Sequence, residues 1–488
     1  MIHFPVFGLR THMIRERRIG GKMAQIEIVE FLTDRRVGDQ ETARTSPSET
    51  FVIARLANRE ALALAYGREA VEKVRDEVLA RARASLGSPS AAWWLDEIDL
   101  LLRISYRGSA DAHPSLGEVQ RRLAQPITVG EYLILPLLVA AAGSVDAGQS
   151  VSVGEVEPVI DALRQRVVRA QPALPAIGAD AVSCARYRRD MASAAMVSDL
   201  LNCDGVVMAW QPVRSSDGSD EILYSEGLSR FIDTDGEALE PGIVVPALER
   251  TGLIRLLDHC VVLQTLERLR VHEYQRLGCN ISAQSALLDE WWDDAIALLE
   301  ANRELAQRFV IEITETAAFT DVNRTVQFVD HMRSLGCRIA IDDFGTGHAA
   351  LRHVVALKPD IVKIDALFLR RCLEGDDADT ETFRHLVGLA AACADAVVVE
   401  GVESEIGLVM ALAAGAAWAQ GYHLAAPALF LGRGDSQARS PRVNPWGAAP
   451  VPTIRRPDNE RDRRWLAATF LLSLFLWIGI AGAWNAVT

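Results

Sequence analysis

In the second half of this 488-residue sequence, polar residues recur near the ends of short apolar runs. Glu226 lies in ILYSEGLSRF, Asn280 in GCNIS, Glu312 in FVIEIT, Asp342 and Asp343 close RIAIDD, Lys363 lies in DIVKID, Glu400 in AVVVEG and Gln420 in AAWAQGY. Carboxylates brought together need a reason. Two like charges about 4 Å apart cost roughly 1 kcal/mol in water and about 4 kcal/mol at an effective dielectric of 20. Several such pairs would consume much of a typical stability of about 5–15 kcal/mol. Bound divalent cations remove the repulsion. Ligation by Glu, Asp and an Asn carbonyl, with no Cys or His at these positions, suits Mg2+ or Mn2+ rather than zinc. Two such ions are a standard means of activating water and neutralising the leaving oxygen in phosphodiester hydrolysis. Lys363, between Val362 and Ile364, needs a carboxylate partner if its strand is buried. Any one of these residues alone would be an ordinary rim residue or helix cap; their recurrence from strand to strand carries the reading.

Such residues must be gathered by a scaffold. Eight strand candidates (VVMAWQP and AAWAQGY are the first and last) alternate mostly with helical stretches such as LLDHCVVLQTLERLR and FRHLVGLAAACA. This alternation predicts an α/β fold, a closed TIM-like β/α barrel whose strand ends share one mouth. Ahead of it, FVIARL reads as a strand, and REALALAYGREAVEKVRDEVLARARASL as helix broken at Tyr66-Gly67. WWLDEIDLLLRI reads as strand, turn and strand, and PITVGEYLILPLLVAAAG as another such unit around Gly130. The expected organisation is an uncertain segment 1–48, a smaller α/β domain 49–190, the barrel 191–430, a flexible linker 431–464 and an apolar segment 465–484.

That last segment, WLAATFLLSLFLWIGIAGAW, carries no charge and has the length of a transmembrane helix. Arg461, Arg463 and Arg464 precede it, and no basic residue follows. The positive-inside bias therefore predicts a tail anchor in the bacterial inner membrane with everything before Trp465 facing the cytoplasm. Seven cysteines without a C-x-x-C pair fit reduced thiols rather than a disulfide framework or zinc cluster. The formal net charge of -14 argues against a nucleic acid polymer as partner, whereas metal ions would let an acidic protein hold a phosphodiester.

Across roughly Val206 to Pro427 the sequence resembles the EAL family of cyclic-di-GMP phosphodiesterases. The blocks run in order: WQPV, Glu226-Gly227-Leu228 with Arg230, PALERTGLI, NIS, EITE, IAIDDFGTG, KPDIVKID, VEGVE and AQGY. The resemblance implies metal-dependent opening of cyclic-di-GMP to linear pGpG, and a homodimer through the barrel. It implies metal-site roles for Glu226, Asn280, Glu312, Asp342, Asp343, Glu400, Glu403 and Gln420. Catalysis would fall to Glu226, Asp343, Glu400 and Lys363, the last orienting or deprotonating the attacking water. Gln211 and Arg230 would contact the dinucleotide, and Glu315 would brace the DFGTG loop. The sequence departs from the family at Gly227 for the signature Ala, at Phe231 for Trp, and at HAAL after DFGTG. The alternative is a silent receptor, but receptors of this kind typically lose the signature Glu or one Asp of the pair. The first half resembles a degenerate GGDEF domain. WLDEI stands at the signature turn, Trp94 and Leu95 replace its glycines, and Arg55 and Ala57 stand at its metal-binding positions.

Overall fold

The computed structural model describes residues 49–86, 91–105, 116–145, 153–172, 174–203, 205–232, 238–314, 321–345 and 351–429. The first domain is built on four antiparallel strands in the order β2-β3-β1-β6: β1 Glu49–Leu56, β2 Ala91–Trp94, β3 Asp99–Ser105 and β6 Leu138–Val145. A small hairpin, β4 Ile127–Val129 and β5 Tyr132–Ile134, turns at Gly130. Alternation along β1 gives the sheet two apolar faces. Val52 and Ala54 face helices Arg59–Tyr66, Arg68–Leu86 and Leu116–Leu123, while Phe51 and Ile53 meet Val156, Ile160, Leu163 and Val167 of helix Val153–Ala170. The two leading helices are separated by Gly67 at φ 88, a left-handed conformation glycine adopts without a Cβ clash. Helix Ala181–Asn202 then leads into the barrel and runs through position 190.

The barrel comprises β7 Val206–Ser215, β8 Ile222–Ile232, β10 Leu277–Ser282, β11 Phe309–Thr314, β12 Arg338–Phe344, β13 Ile361–Ile364, β14 Ala396–Val399 and β15 Trp418–Ala419. A short strand, β9 Ala238–Leu239, adds to the edge of β8. Parallel pairing of β8 with β10 closes the ring. All eight expected strands form, but β7 runs antiparallel to both neighbours, β8 and β15. An apolar run carries no information about direction, so the sequence pattern is blind to this reversal.

Inside the barrel, period-two alternation stacks two layers. Val213, Tyr224, Val310, Ala340, Ile361 and Val398 form an apolar plug, with Trp418 packed against it. Two residues along the same strands stand Gln211, Glu226, Glu312, Asp342, Lys363, Glu400 and Gln420. Asn280 follows Gly278 by the same step on β10. The polar layer is thus the next rung above a closed floor.

Among the described residues no helix is long and apolar enough to cross a membrane. The expected apolar segment 465–484, the linker 431–464 and residues 1–48 lie outside the described residues.

Candidate functional site

Lys363 is completely buried, and four carboxylates surround its Nζ. Glu400 Oε1 lies at 2.7 Å, Glu312 Oε2 at 2.9 Å, Glu226 Oε2 at 3.0 Å and Asp342 Oδ1 at 3.2 Å. Burial alone would drive the ammonium to lose its proton, but Asp342, Glu226, Glu312 and Glu400 outweigh it and hold Lys363 well above its ordinary pKa. A charged ammonium donates hydrogen bonds and has no lone pair with which to take a proton.

The acids are unequal. Burial pushes Glu226 up, yet Lys363 and hydrogen bonds from Gln420 and Asn280 outweigh this and hold it below the usual carboxylate range. Asn280 Nδ2 donates to Glu226 Oε1 at 2.5 Å, and Gln420 Nε2 to Oε2 at 2.8 Å. Glu312 is pushed up to about 8 by burial and by the Glu226 charge. Burial and Asp342 push Asp343 up to about 7 and Glu400 well above its ordinary value, and burial also raises Asp342. Five carboxylates face one ammonium, so the layer must gather either protons or cations.

Asp342 and Asp343 are adjacent, and a regular strand would send one of them outward among the helices. The β12 register shifts between Ile341 and Phe344, and Asp343 has φ 56. Left-handed backbone of this kind is tolerated by Asp more readily than by most residues. The irregularity lets both side chains serve one mouth. Two groups of acids result: Glu226, Glu312 and Asp342, and Asp342, Asp343 and Glu400, each with ligand atoms within 4.8 Å of one another.

These residues fit divalent cations. Asn280 Oδ1 is buried with no hydrogen-bond partner, an acceptor left open beside the acids while the amide nitrogen is engaged by Glu226. The donors are all oxygen, as Mg2+ or Mn2+ requires.

Gln211 pairs in register with Glu226 across β7 and β8, accepts from Gln420 Nε2 at 3.3 Å and donates to Ala425 O at 2.9 Å. Arg230 lies four residues beyond Glu226, hence on the same strand face, with NH1 donating to Ser229 O at 2.9 Å. Burial holds its pKa below the ordinary value, against the opposing pull of Tyr422 and Glu226. Glu403 is exposed and belongs to neither acidic group, because β14 ends at Val399 and the chain turns at Gly401, φ 66. Glu315 and residues 346–350 lie outside the described residues. The glycine at 227 is filled from its own face: a Cβ there would stand 2.6 Å from Met208 Cε and 2.9 Å from the Trp210 ring.

Two contributors escape sequence reasoning. Tyr224, part of the apolar plug, donates its hydroxyl to Glu312 Oε2 at 3.0 Å. Gly278 leaves room for both, since a Cβ would meet Glu312 Oε1 at 2.6 Å and the Tyr224 ring at 2.7 Å. Only the position of Tyr224, two residues before Glu226, could have pointed to it.

Residues 194–427 match the EAL domain family. The second half of this chain is thus similar to EAL domains. Cyclic di-GMP phosphodiesterase PdeF of Escherichia coli strain K12 is 29% identical over 221 residues, covering 44% of this chain and 29% of the relative. Probable cyclic di-GMP phosphodiesterase PdeA of the same organism is 29% identical over 221 residues, 44% of this chain and 30% of the relative. The chain thus spans less than a third of the length of either relative. A solved structure described as PaMucR phosphodiesterase in complex with c-di-GMP is 25% identical, with a TM-score of 0.43, over 48% of this chain and 97% of that one.

Proposed function

We propose that the barrel is a phosphodiesterase that opens cyclic-di-GMP to linear pGpG using two Mg2+ or Mn2+ ions. The observation that carries this reading is the buried Lys363 ringed by four carboxylates within the region that matches the EAL domain family. Glu226, Asn280, Glu312, Asp342, Asp343 and Glu400 would hold the ions, with Gln420 supporting Glu226. The ions would supply a water acidic enough to lose its proton near neutral pH and charge to offset the leaving oxygen. Lys363, in its ammonium form, orients that water by donation while its charge keeps Glu226 ionised. Gln211 and Arg230 border the layer on β7 and β8 and are suited to positioning the dinucleotide. Glu315 is read as a support for the DFGTG loop.

The first domain is read as a degenerate GGDEF-like unit. The turn Leu95–Ile98 joins β2 to β3, and Arg55, which on this reading stands where the family has a metal-binding residue, is paired with Asp99 at 2.7 and 2.9 Å. The chain is further read as anchored to the bacterial inner membrane by residues 465–484, its domains facing the cytoplasm, and as pairing through its barrel into a homodimer.

The decisive experiment incubates the purified chain with cyclic-di-GMP and Mg2+ or Mn2+ and follows pGpG. Metal-dependent product is expected, with Glu226→Ala and Lys363→Ala each slowing it by about 100-fold or more. Tight binding without product would make the barrel a receptor.

A further inference from the structure

Glu290 belongs to the barrel but holds the first domain. It opens the short turn Glu290–Trp292, its Oε2 accepts the Ala142 N–H at 3.0 Å, and its carboxylate pairs with Arg166. Arg166 in turn donates to Ala142 O at 2.7 Å. Ala142 lies on β6, an edge strand of the first sheet, where outward backbone groups lack a neighbouring strand. Both open groups of Ala142 are therefore closed by two side chains that also pair with each other.

On its other side the same turn is tied to the end of β10. Asp289 accepts from Arg255 NH2 at 2.7 Å and from Trp291 N at 3.1 Å, fixing the start of the turn. Trp292 Nε1 donates to Ser285 O at 3.0 Å, and Ser285 Oγ donates to Asp258 Oδ2 at 2.5 Å. The same Asp258 oxygen accepts the Ser282 N–H at 3.0 Å, and Ser282 Oγ donates to Glu249 Oε1 at 2.8 Å. Trp292, Ser285, Asp258, Ser282 and Glu249 are all buried. Ser282 ends β10, two residues past Asn280. A buried chain of satisfied hydrogen bonds is stiff, because each broken link exposes an unpaired group in a low-dielectric interior.

We infer that Glu290 is a positioning residue through which the first domain fixes the seat of Asn280. Docking at Ala142 sets the Glu290–Trp292 turn, and the relay Trp292–Ser285–Asp258–Ser282 carries that constraint to the end of β10. The part of the test that reads metal rests on Asn280 being a ligand, as proposed above; the part that reads backbone exchange does not.

The test uses the full chain with Glu290→Ala, Arg166→Ala and the double variant. Gln125→Ala serves as control, since it removes the 2.8 Å hydrogen bond that Gln125 accepts from Asn202 and touches no member of the relay. Hydrogen exchange over residues 277–292 is followed without metal, and Mn2+ affinity is measured by calorimetry. Glu290→Ala is expected to speed exchange at Asn280 and Ser282 and to weaken Mn2+ binding by about threefold to thirtyfold. The double variant should do no more than Glu290→Ala alone, and the control should do neither. Unchanged exchange in Glu290→Ala, or equal changes in the control, would overturn the inference. If the unaltered chain binds no Mn2+ while exchange still responds to Glu290, the relay stands and the metal reading falls. If Glu290→Ala does not fold, Arg166→Ala, which removes the ion-pair partner of Glu290 and the donor to Ala142 O, is read by the same criteria: faster exchange at Asn280 and Ser282 is expected, and unchanged exchange overturns the inference.

Discussion

Glu312 and Asp343 keep their protons to about pH 8 and about pH 7 in the metal-free fold, because burial disfavours their charged forms. In an unfolded chain they would lose them near about pH 4. Between these limits the folded state binds more protons, so their contribution to stability falls as pH rises from roughly 4 to roughly 8. A metal ion needs the ionised carboxylates and expels those protons. The rise in Tm produced by Mn2+ should therefore be larger at about pH 8.5 than at about pH 6. Equal rises in scanning calorimetry would mean that no proton is displaced. Tyr224 offers a second probe at this scale. Tyr224→Phe removes one donor from Glu312 and nothing else, and should cost about 1–3 kcal/mol in chemical denaturation. A cost near zero would mean that Glu312 finds another donor.

Strands explain why so much of the site was legible. With period two, each functional residue sits a fixed step beyond an apolar one, and Lys363 within IVKI or Glu312 within VIEI stands out as polar where the pattern demands a buried side chain. The same regularity hides its exceptions. Nothing in RIAIDD shows that Asp343 leaves the strand geometry at φ 56, or that β7 is reversed. Glu403, given a metal-site role by the resemblance of VEGVE to the family, lies past the turn at Gly401, which the pattern of the strand does not show. Tyr224 and Gly278 were invisible because aromatic and small residues in strands ordinarily report only packing. Gly278→Ala tests the spacing between strands: its Cβ would strike Glu312 and Tyr224, and overpacking of this kind costs about 1–3 kcal/mol. For a domain of this size that is a fall in Tm of about 2–4 °C per kcal/mol. An unchanged Tm would show that β8, β10 and β11 can part without penalty.

For the whole molecule, the sequence expectations divide by how local their evidence is. Hydrophobic alternation is local, and it foretold the barrel and the sheet of the first domain. The contact between Ala142 and Glu290 joins residues 148 positions apart and leaves no trace in either segment. The apolar segment 465–484 makes a separate prediction. A chain ending at residue 430 should stay in the supernatant after lysates are cleared at high speed, while the full chain should sediment with membranes and be released by detergent. A full chain that remains in the supernatant would remove the anchor.

The layered interior also sets what changes this gene can absorb. A substitution in a barrel strand alters one rung, but loss or gain of a single codon moves every later residue of that strand to the opposite face. Deleting Val362 would turn Lys363 out among the helices and point Ile364 at four carboxylates. Small insertions and deletions drifting into this gene should therefore collect in the connections between strands, and variants carrying one inside β8, β11 or β13 should be recovered only as inactive copies.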